Sequence, residues 1–283
     1  MKHLLKKQGW ALLAGTLSLS LLAGCGSSGS DSGSEEAKTA WDEIKEEGTL
    51  TVATSGTLFP TSYREEGTDK LTGFEVEVVR EIAERLELEV EFSELGFDEM
   101  LTSVQTGQVD LAANDIEATE DRKEKFAFST PFKFSYGTAI VRKDDLSGIK
   151  TLEDLKGKKA AGASTSVYME TARSYGAEEV VYDNATNEVY LRDVAIGRTD
   201  VILNDYYLQT LALAAFPELN ITIHPDIKYS PSEVSMVMNK DNEELVENVN
   251  GAIEEMLEDG TIAEISKEFF NGADATQKID IEE

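Results

Sequence analysis

The sequence predicts an α/β fold of two lobes, each a mostly parallel sheet flanked by helices, with two hinge crossings between them. Three observations carry that expectation. The segment Val104-Gln105-Thr106-Gly107-Gln108-Val109-Asp110-Leu111-Ala112-Ala113-Asn114-Asp115 recurs later as Val194-Ala195-Ile196-Gly197-Arg198-Thr199-Asp200-Val201-Ile202-Leu203-Asn204-Asp205. Each copy closes a helix at a Gly, passes an Asp into a short apolar strand and ends on Asn-Asp, where open α/β sheets place ligand-contacting groups. Hydrophobic spacing alternates along the chain between period 2 and period 3.6, the grammar of crossover units. About 240 residues follow the N-terminal tract, enough for two lobes of ordinary size. The competing reading is ordinary βα grammar repeated by chance, since the match is short.

Each element follows from local pattern. Trp41 to Glu47 reads as a short helix and Thr49 to Thr54 as the strand that opens the first sheet. Leu71-Thr72-Gly73-Phe74 is a turn, and Glu75 to Leu86 is a helix because Val76, Val79, Ile82, Ala83 and Leu86 share one face. Leu88 to Phe92 alternates as a strand, Asp98 caps the next helix, and Gln108 to Asn114 carries the first copy of the repeat. Phe126 to Phe134 is an irregular apolar segment broken at Pro131, and Gly137 to Arg142 a strand leaving the first lobe.

Thr151-Leu152-Glu153-Asp154 opens a short helix resembling a capping box. Strands at Lys158 to Gly162, Val180 to Tyr182 and Thr199 to Asn204 alternate with helices at Val167 to Tyr175 and Asn187 to Ile196. Glu233 to Asn239 returns to the first lobe, and helices at Glu243 to Leu257 and Ile262 to Phe270 close the chain. The organisation expected is therefore a leader (1–24), a tether (25–40), a first lobe (41–142), a second lobe (143–232) and a return segment (233–283).

Lys2, Lys6 and Lys7 precede an apolar run from Trp10 to Ala23, the form of a secretory leader rather than a membrane span. It ends Leu22-Ala23-Gly24-Cys25, and Cys25 is the chain's single cysteine, so no internal disulfide can form. These residues resemble a bacterial lipobox, whose cysteine bears lipid, and the Ser/Gly tract from Gly26 to Ser34 suits a flexible tether. Anchorage at an outer surface without spanning is the expectation. Without the leader, 23 basic residues face 55 acidic ones, a net charge of about −32. Such a surface repels nucleic acid and favours a soluble monomer.

Over residues 41 to 270 the motifs resemble the polar amino acid solute-binding proteins of bacterial ABC transporters, extracellular family 3, with periplasmic-binding-protein type II architecture. The matching pieces are Leu71-Thr72-Gly73-Phe74-Glu75-Val76-Glu77, Gly107-Gln108-Val109-Asp110, Thr119-Glu120-Asp121-Arg122, Phe128-Ser129-Thr130-Pro131-Phe132, Leu152 to Lys158, and Glu258-Asp259-Gly260-Thr261-Ile262. Each is weak alone, and their order and spacing are specific. The resemblance implies an amino acid ligand, permease and ATPase partners, and a membrane contact through lipid on Cys25 of the Gram-positive kind. It implies no cofactor and no metal.

An amino acid needs a bidentate cation and backbone donors for its carboxylate, and a carboxylate for its ammonium. Arg122, three residues after the N-cap candidate Thr119, is the natural clamp, and the resemblance assigns it the ligand carboxylate. Without the motif it would read as a surface Arg in a charged run. Ser164-Thr165-Ser166 before the Val167 helix forms an anion-binding mouth, or a plain N-cap. By resemblance Thr165 and Ser166 complete the carboxylate grip and Asp205 pairs with the ligand ammonium. An Asp with no protein cation nearby would be costly to bury, and the ligand would supply the missing charge.

Phe59 and Phe97 from the first lobe and Tyr206 or Tyr207 from the second are candidate walls, with core packing as the alternative. Asp115 and Glu117 depart from the family's usual small residue and Ser/Thr. Extra acid disfavours an anionic side chain and points to a second cationic group: cystine or a related sulfur amino acid first, a basic amino acid second. Asn114-Asp115-Ile116-Glu117 also resembles cystine-binding members. The alternative is that these acids face solvent or cap a turn.

An enzyme on the same fold, a dehydratase or a lytic transglycosylase, is one rival, with Glu117 as its acid. Against it, His224 beside Pro225 reads as a surface turn, and no Ser-His-Asp, Cys-His, Walker or GxGxxG pattern is present. A sensory ectodomain is the other rival, and the polar end at Glu283 argues against it.

Overall fold

A computed structural model describes residues 38–182 and 184–279. The leader, Cys25 and residues 25–37 of the tether lie outside the described residues, while Lys38 and Thr39 lead directly into a helix. The chain enters through α1 (Ala40–Glu47), β1 (Thr49–Thr54), the short strands β2 (Thr57–Leu58), β3 (Ser62–Arg64) and β4 (Leu71–Thr72), and α2 (Phe74–Arg85). It continues through β5 (Glu89–Glu94), α3 (Phe97–Gln105), β6 (Leu111–Ala112), the single-turn α4 (Glu120–Lys123), β7 (Phe126–Phe128) and the long β8 (Lys133–Arg142). Two 3-10 turns (Leu146–Gly148 and Leu152–Leu155) precede β9 (Lys159–Gly162), α5 (Val167–Ser174), β10 (Glu178–Val181), α6 (Asn187–Ala195), β11 (Ile202–Asp205) and α7 (Tyr206–Ala215). The end of the fold is β12 (Ile221–Ile223), β13 (Tyr229–Val234), β14 (Val237–Asn239), α8 (Glu243–Glu258) and α9 (Thr261–Phe269).

Local chemistry sets many of these boundaries. Thr39 and Asp42 form a reciprocal capping box at the start of α1, and Gly48 closes it in the left-handed region at φ 69°. A second capping box joins Thr151 and Asp154 at the 3-10 turn Leu152–Leu155. Leu245, Val249, Ile253 and Met256 recur at helical spacing and bury one face of α8. Each such side chain, fully withdrawn from water, contributes roughly 1.5–3 kcal/mol.

Two sheets result. In the first, ordered β5-β1-β6-β14-β7, β1 lies parallel to β5 and β6, with Val52 opposite Leu111, and β14 returns antiparallel between β6 and β7. Its core gathers Leu50, Val52, Phe74, Ile82 and Phe132 with the inner face of α8. In the second, β11 and β12 flank β8 antiparallel, and the parallel pair β9-β10 extends it through a bridge between Ala160 and Val201. That sheet has its own core of Val141, Ile149, Leu155, Met169 and Val201.

Strands β8 and β13 run side by side between the sheets, with Lys133 opposite Val234 and Ser135 opposite Ser232. The second half of β8 then belongs to the second sheet. Gly137 lies at this change of partners because a Cβ there would stand 2.3 Å from the Tyr229 ring.

Several local expectations needed correction. Asp98 does not cap α3, because the helix starts at Phe97 with Gly96 at the cap, which leaves the Asp98 carboxylate free to reach elsewhere. Helix α7 was not expected: its apolar run follows the repeat without a break, and Asp205 both ends β11 and caps it by accepting from the Leu208 N–H at 2.9 Å. His224 is buried, not in a surface turn, and its Nε2 lies 3.1 Å from the Ile149 carbonyl. The return segment divides into β13 and β14, and Phe126–Phe128 is a regular strand.

Gly73, at the cap of α2, adopts φ 133°, and a Cβ there would lie 2.4 Å from the Thr61 carbonyl oxygen. The neighbouring amides of Phe74 and Glu75 are tied to Pro60 and Thr61, so the backbone has little room to yield. Gly73→Ala is expected to destabilise the fold by about 1–3 kcal/mol, measured as a shifted urea midpoint with an unchanged slope.

Candidate ligand-binding site

The repeated segment builds the same device twice. Gly107 and Gly197 take φ 69° and 76° after their helices. Asp110 then accepts from the Thr51 N–H at 2.7 Å and its hydroxyl at 2.6 Å, clipping β6 to β1, while Asp200 accepts from the Lys159 N–H at 3.0 Å, clipping the second copy to β9. The two terminal acids converge. Lys133, at the start of β8, places its Nζ 2.5 Å from Asp115 Oδ1 and 2.9 Å from Asp205 Oδ2, and its side chain is wholly buried.

The balance of this cluster follows from burial and charge. Burial would pull the Lys133 ammonium down, and the carboxylates of Asp115 and Asp205 outweigh it, so the group is held above the ordinary lysine range. Glu75, two residues into α2, is also fully buried and accepts the Asp115 N–H at 2.8 Å. Burial first and the Asp115 charge second lift its carboxyl to about 8. Burial likewise raises Asp115 to about 6, against the pull of Lys133. Asp115 is held at φ 58°, a left-handed conformation costing roughly 1 kcal/mol or more for a residue with a Cβ, and the Glu75 and Lys133 contacts maintain it.

Between the sheets lies a cavity of about 120 Å³. Ser55, Phe97, Asn114, Asp115 and Arg122 line it from the side of the first sheet; Gly162, Ser166, Tyr168, Tyr182, Tyr190 and Asn204 line it from the side of the second. Among the described residues of its wall, Asp115 is the one acid and Arg122 the one base. Arg122 is 9% exposed and donates from Nη1 to the Glu117 carbonyl at 3.0 Å and from Nη2 to the Thr165 carbonyl at 2.9 Å. Its guanidinium stands 5.5 Å from the centre of the Phe97 ring, a cation–π contact. No carboxylate among the described residues comes within 4.0 Å of it, and burial depresses its pKa.

Contacts join the two sides around this cavity. Asp98 accepts from the Ser164 hydroxyl at 2.8 Å and also from the Thr165 hydroxyl. The Thr57 hydroxyl donates to Asn184 at 3.2 Å, and Asn187 donates to the Phe59 carbonyl at 3.4 Å.

The residues singled out from sequence therefore separate into groups. Arg122, Asp115, Ser166 and Phe97 meet at the cavity, with Ser166 also capping α5 through the Met169 N–H at 3.1 Å. Thr119 caps α4 and brings Arg122 into place. Ser164 and Thr165 join the two sides through Asp98. Asp205 does not line the cavity: Lys133 and the α7 cap take its carboxylate, so the expectation that a ligand must supply its counter-charge is corrected by a protein cation. Glu117 faces grooves beside Tyr168 and Tyr229, its carboxyl lifted to about 7, mainly by burial and then by the Asp115 charge. Phe59 packs edge-on against Tyr63, and Tyr206 stacks on Tyr136 at 4.8 Å, both away from the cavity wall. Sequence reading missed Lys133, Asp98 and the three tyrosines. A lysine between Phe132 and Phe134 was the available signal, because a charge in an apolar run needs a buried partner.

Two sheets that meet over a pocket lined by a buried guanidinium and an acid are the arrangement of a protein that binds a small polar solute. Residues 50–272 match the model of the bacterial extracellular solute-binding proteins, family 3, and the chain belongs to that family. It is 65% identical over 265 residues to the "Probable ABC transporter extracellular-binding protein YckB" of Bacillus subtilis (strain 168), covering 92% of this chain and 90% of that one. The crystal structure of YckB superposes with a TM-score of 0.69 at 69% identity, over 86% of this chain and 98% of that one. The "L-cystine-binding protein TcyA" of the same organism is 34% identical over 261 residues, covering 90% of this chain and 94% of that one. The chain is thus an extracellular solute-binding protein with the type II periplasmic-binding fold, and not an enzyme.

The elevated carboxyls make stability pH-dependent. Glu75 keeps its proton in the fold up to about 8, whereas the unfolded chain releases it near 4.5. In that window the native state binds more protons, so stability falls as pH rises through it and levels off above. Asp115 at about 6 and Glu117 at about 7 act in the same direction. Glu75→Gln, which keeps a neutral acceptor for the Asp115 N–H, is expected to flatten the fall in melting temperature between pH 6 and 8, an interval of about two units. Glu75→Ala should instead lower stability by about 1–3 kcal/mol through the orphaned N–H.

Proposed function

We propose that the chain is the lipid-anchored ligand-binding component of an ABC importer for amino acids, taking cystine or a related sulfur amino acid into the cavity and delivering it to the permease and its ATPase. The carrying observation is the buried Arg122 guanidinium, which has no carboxylate partner among the described residues. A buried cation without an anion is costly, and an α-carboxylate supplies it with a bidentate partner. The first N–H groups of α5, beside Ser166, add a second pull on that anion.

The opposite pole is Asp115 rather than Asp205, since Asp115 is the acid that faces the cavity. Its second oxygen is available to a ligand ammonium while the first remains on Lys133. Asn114 is held in place by accepting the Ser55 N–H at 3.0 Å, and Asn204 stands across from it. Phe97, Tyr168, Tyr182 and Tyr190 offer ring faces and edges suited to sulfur. The similarity to TcyA, a cystine-binding protein by name, supports this choice. A basic amino acid is the second candidate from the acid in the wall, although Lys133 already sits on that acid.

Closure works by selection: a ligand joining Arg122 and Asp115 to the α5 mouth stabilises the form in which Asp98 meets Ser164 and Thr165. Anchorage through lipid on Cys25 would keep the protein at the outer membrane face beside its permease.

A thermal-shift and titration series with cystine, arginine, glutamine and glutamate tests the ligand. Cystine is expected to raise the melting temperature most, and tightest binding of glutamate would refute the assignment. Arg122→Ala should cost at least about 2 kcal/mol of binding, roughly thirtyfold in affinity, with little loss of fold stability. In cells, Cys25→Ser should release the protein into the medium, and retention on the membrane would count against the lipid anchor.

A further inference from the structure

We propose that Lys133 sets the charge selectivity of the cavity by occupying, as a built-in ammonium, the place between Asp115 and Asp205 that a cationic side chain would otherwise take. The inference rests on the proposed amino acid site and deepens it. Lys133 Nζ bonds directly to Asp115, the acid of the cavity wall, and to Asp205 behind it, and all three side chains are at most 4% exposed.

The charges around the pocket then cancel. Arg122 and Lys133 bring two positive charges and Asp115 and Asp205 two negative ones, while Glu75 keeps its proton at neutral pH and Glu117 faces the grooves outside the cavity wall; a zwitterion, itself neutral overall, adds one ion pair to a balanced site. A ligand with an extra ammonium that no further carboxylate balances, unlike cystine with its two zwitterionic ends, adds an unpaired positive charge facing Lys133. Unit charges a few ångströms apart in partly buried surroundings interact strongly enough to discriminate between such ligands by at least about tenfold. Discrimination of this kind comes from a built-in repulsion rather than from a better contact. The same pair of carboxylates without the lysine would form a twin-acid cation site. This reverses the inference drawn from the acids alone: the Asp-rich repeat ends do not by themselves invite a basic ligand.

Lys133 is a positioning and selectivity residue, since it touches the wall acid and not the ligand. The test uses a matched pair of ligands, L-lysine and L-norleucine, which differ in the terminal ammonium against a methyl group. Affinities are measured on the full mature chain at low ionic strength by titration or competition with cystine. In Lys133→Met the lysine-to-norleucine affinity ratio is expected to rise at least about tenfold, and Lys133→Arg is expected to keep the wild-type ratio. Should Lys133→Met fail to fold, Asp205→Asn decides: it shifts the cluster toward positive charge from outside the cavity, and should raise the glutamate-to-glutamine ratio severalfold.

A merely structural lysine would lower all affinities together and leave these ratios unchanged, and that result in both variants overturns the proposal. A wild-type protein that binds cystine while the ratios stay fixed rejects the role of Lys133 alone. A wild-type protein that binds no amino acid in the same series rejects the proposed function, and the selectivity role with it.

Discussion

One ammonium group between two carboxylates organises this protein. Lys133 leaves the first sheet at the start of the crossing strand β8, Asp115 ends the first copy of the repeat, and Asp205 ends the second. The gross attraction is several kcal/mol, and withdrawing three charges from water costs a comparable amount, so the cluster adds little net stability. Its value is geometric. Removing one member would strand the others, and the native arrangement is the one in which all three charges are satisfied together.

From that point the cavity acquires its polarity. Asp115 is held in a left-handed conformation by Lys133 on its side chain and Glu75 on its amide, which turns it toward the pocket. Arg122 is delivered to the opposite pole by the Thr119 cap and is steadied by the Phe97 ring and two backbone carbonyls. The ion at each pole differs in state: the acid already has a protein partner, and the guanidinium has only carbonyls. On the proposed reading, the unpaired guanidinium is the pole that gains most from an anion, and the paired acid is the pole that sets the charge a side chain meets.

The fold was largely legible because its signals are local. The capping box at Thr151, the helical run of α8 and the Gly-Asp-strand repeat all act within a few residues, and the structure has a 3-10 turn, a helix and two strands there. Errors arose where one residue's partner lies far along the chain. Asp98 looked like a cap, but its carboxylate reaches Ser164 and Thr165 across the cavity mouth. His224 looked exposed beside Pro225, yet it is buried against the Ile149 carbonyl.

The sequence by itself determined the α/β class, the twofold repeat and the family, and it singled out Arg122 as the cation of the site, because periodicity, caps and ordered motifs depend on neighbours in the chain. Only the tertiary structure decided which acid faces the cavity. Asp115 and Asp205 are equivalent in the sequence pattern and share Lys133 in the fold, and they differ because the second oxygen of Asp205 caps α7 while Asp115 lines the cavity. Long-range electrostatic pairing of this kind depends on the folded path of the chain, so no local pattern could assign the two acids their separate parts.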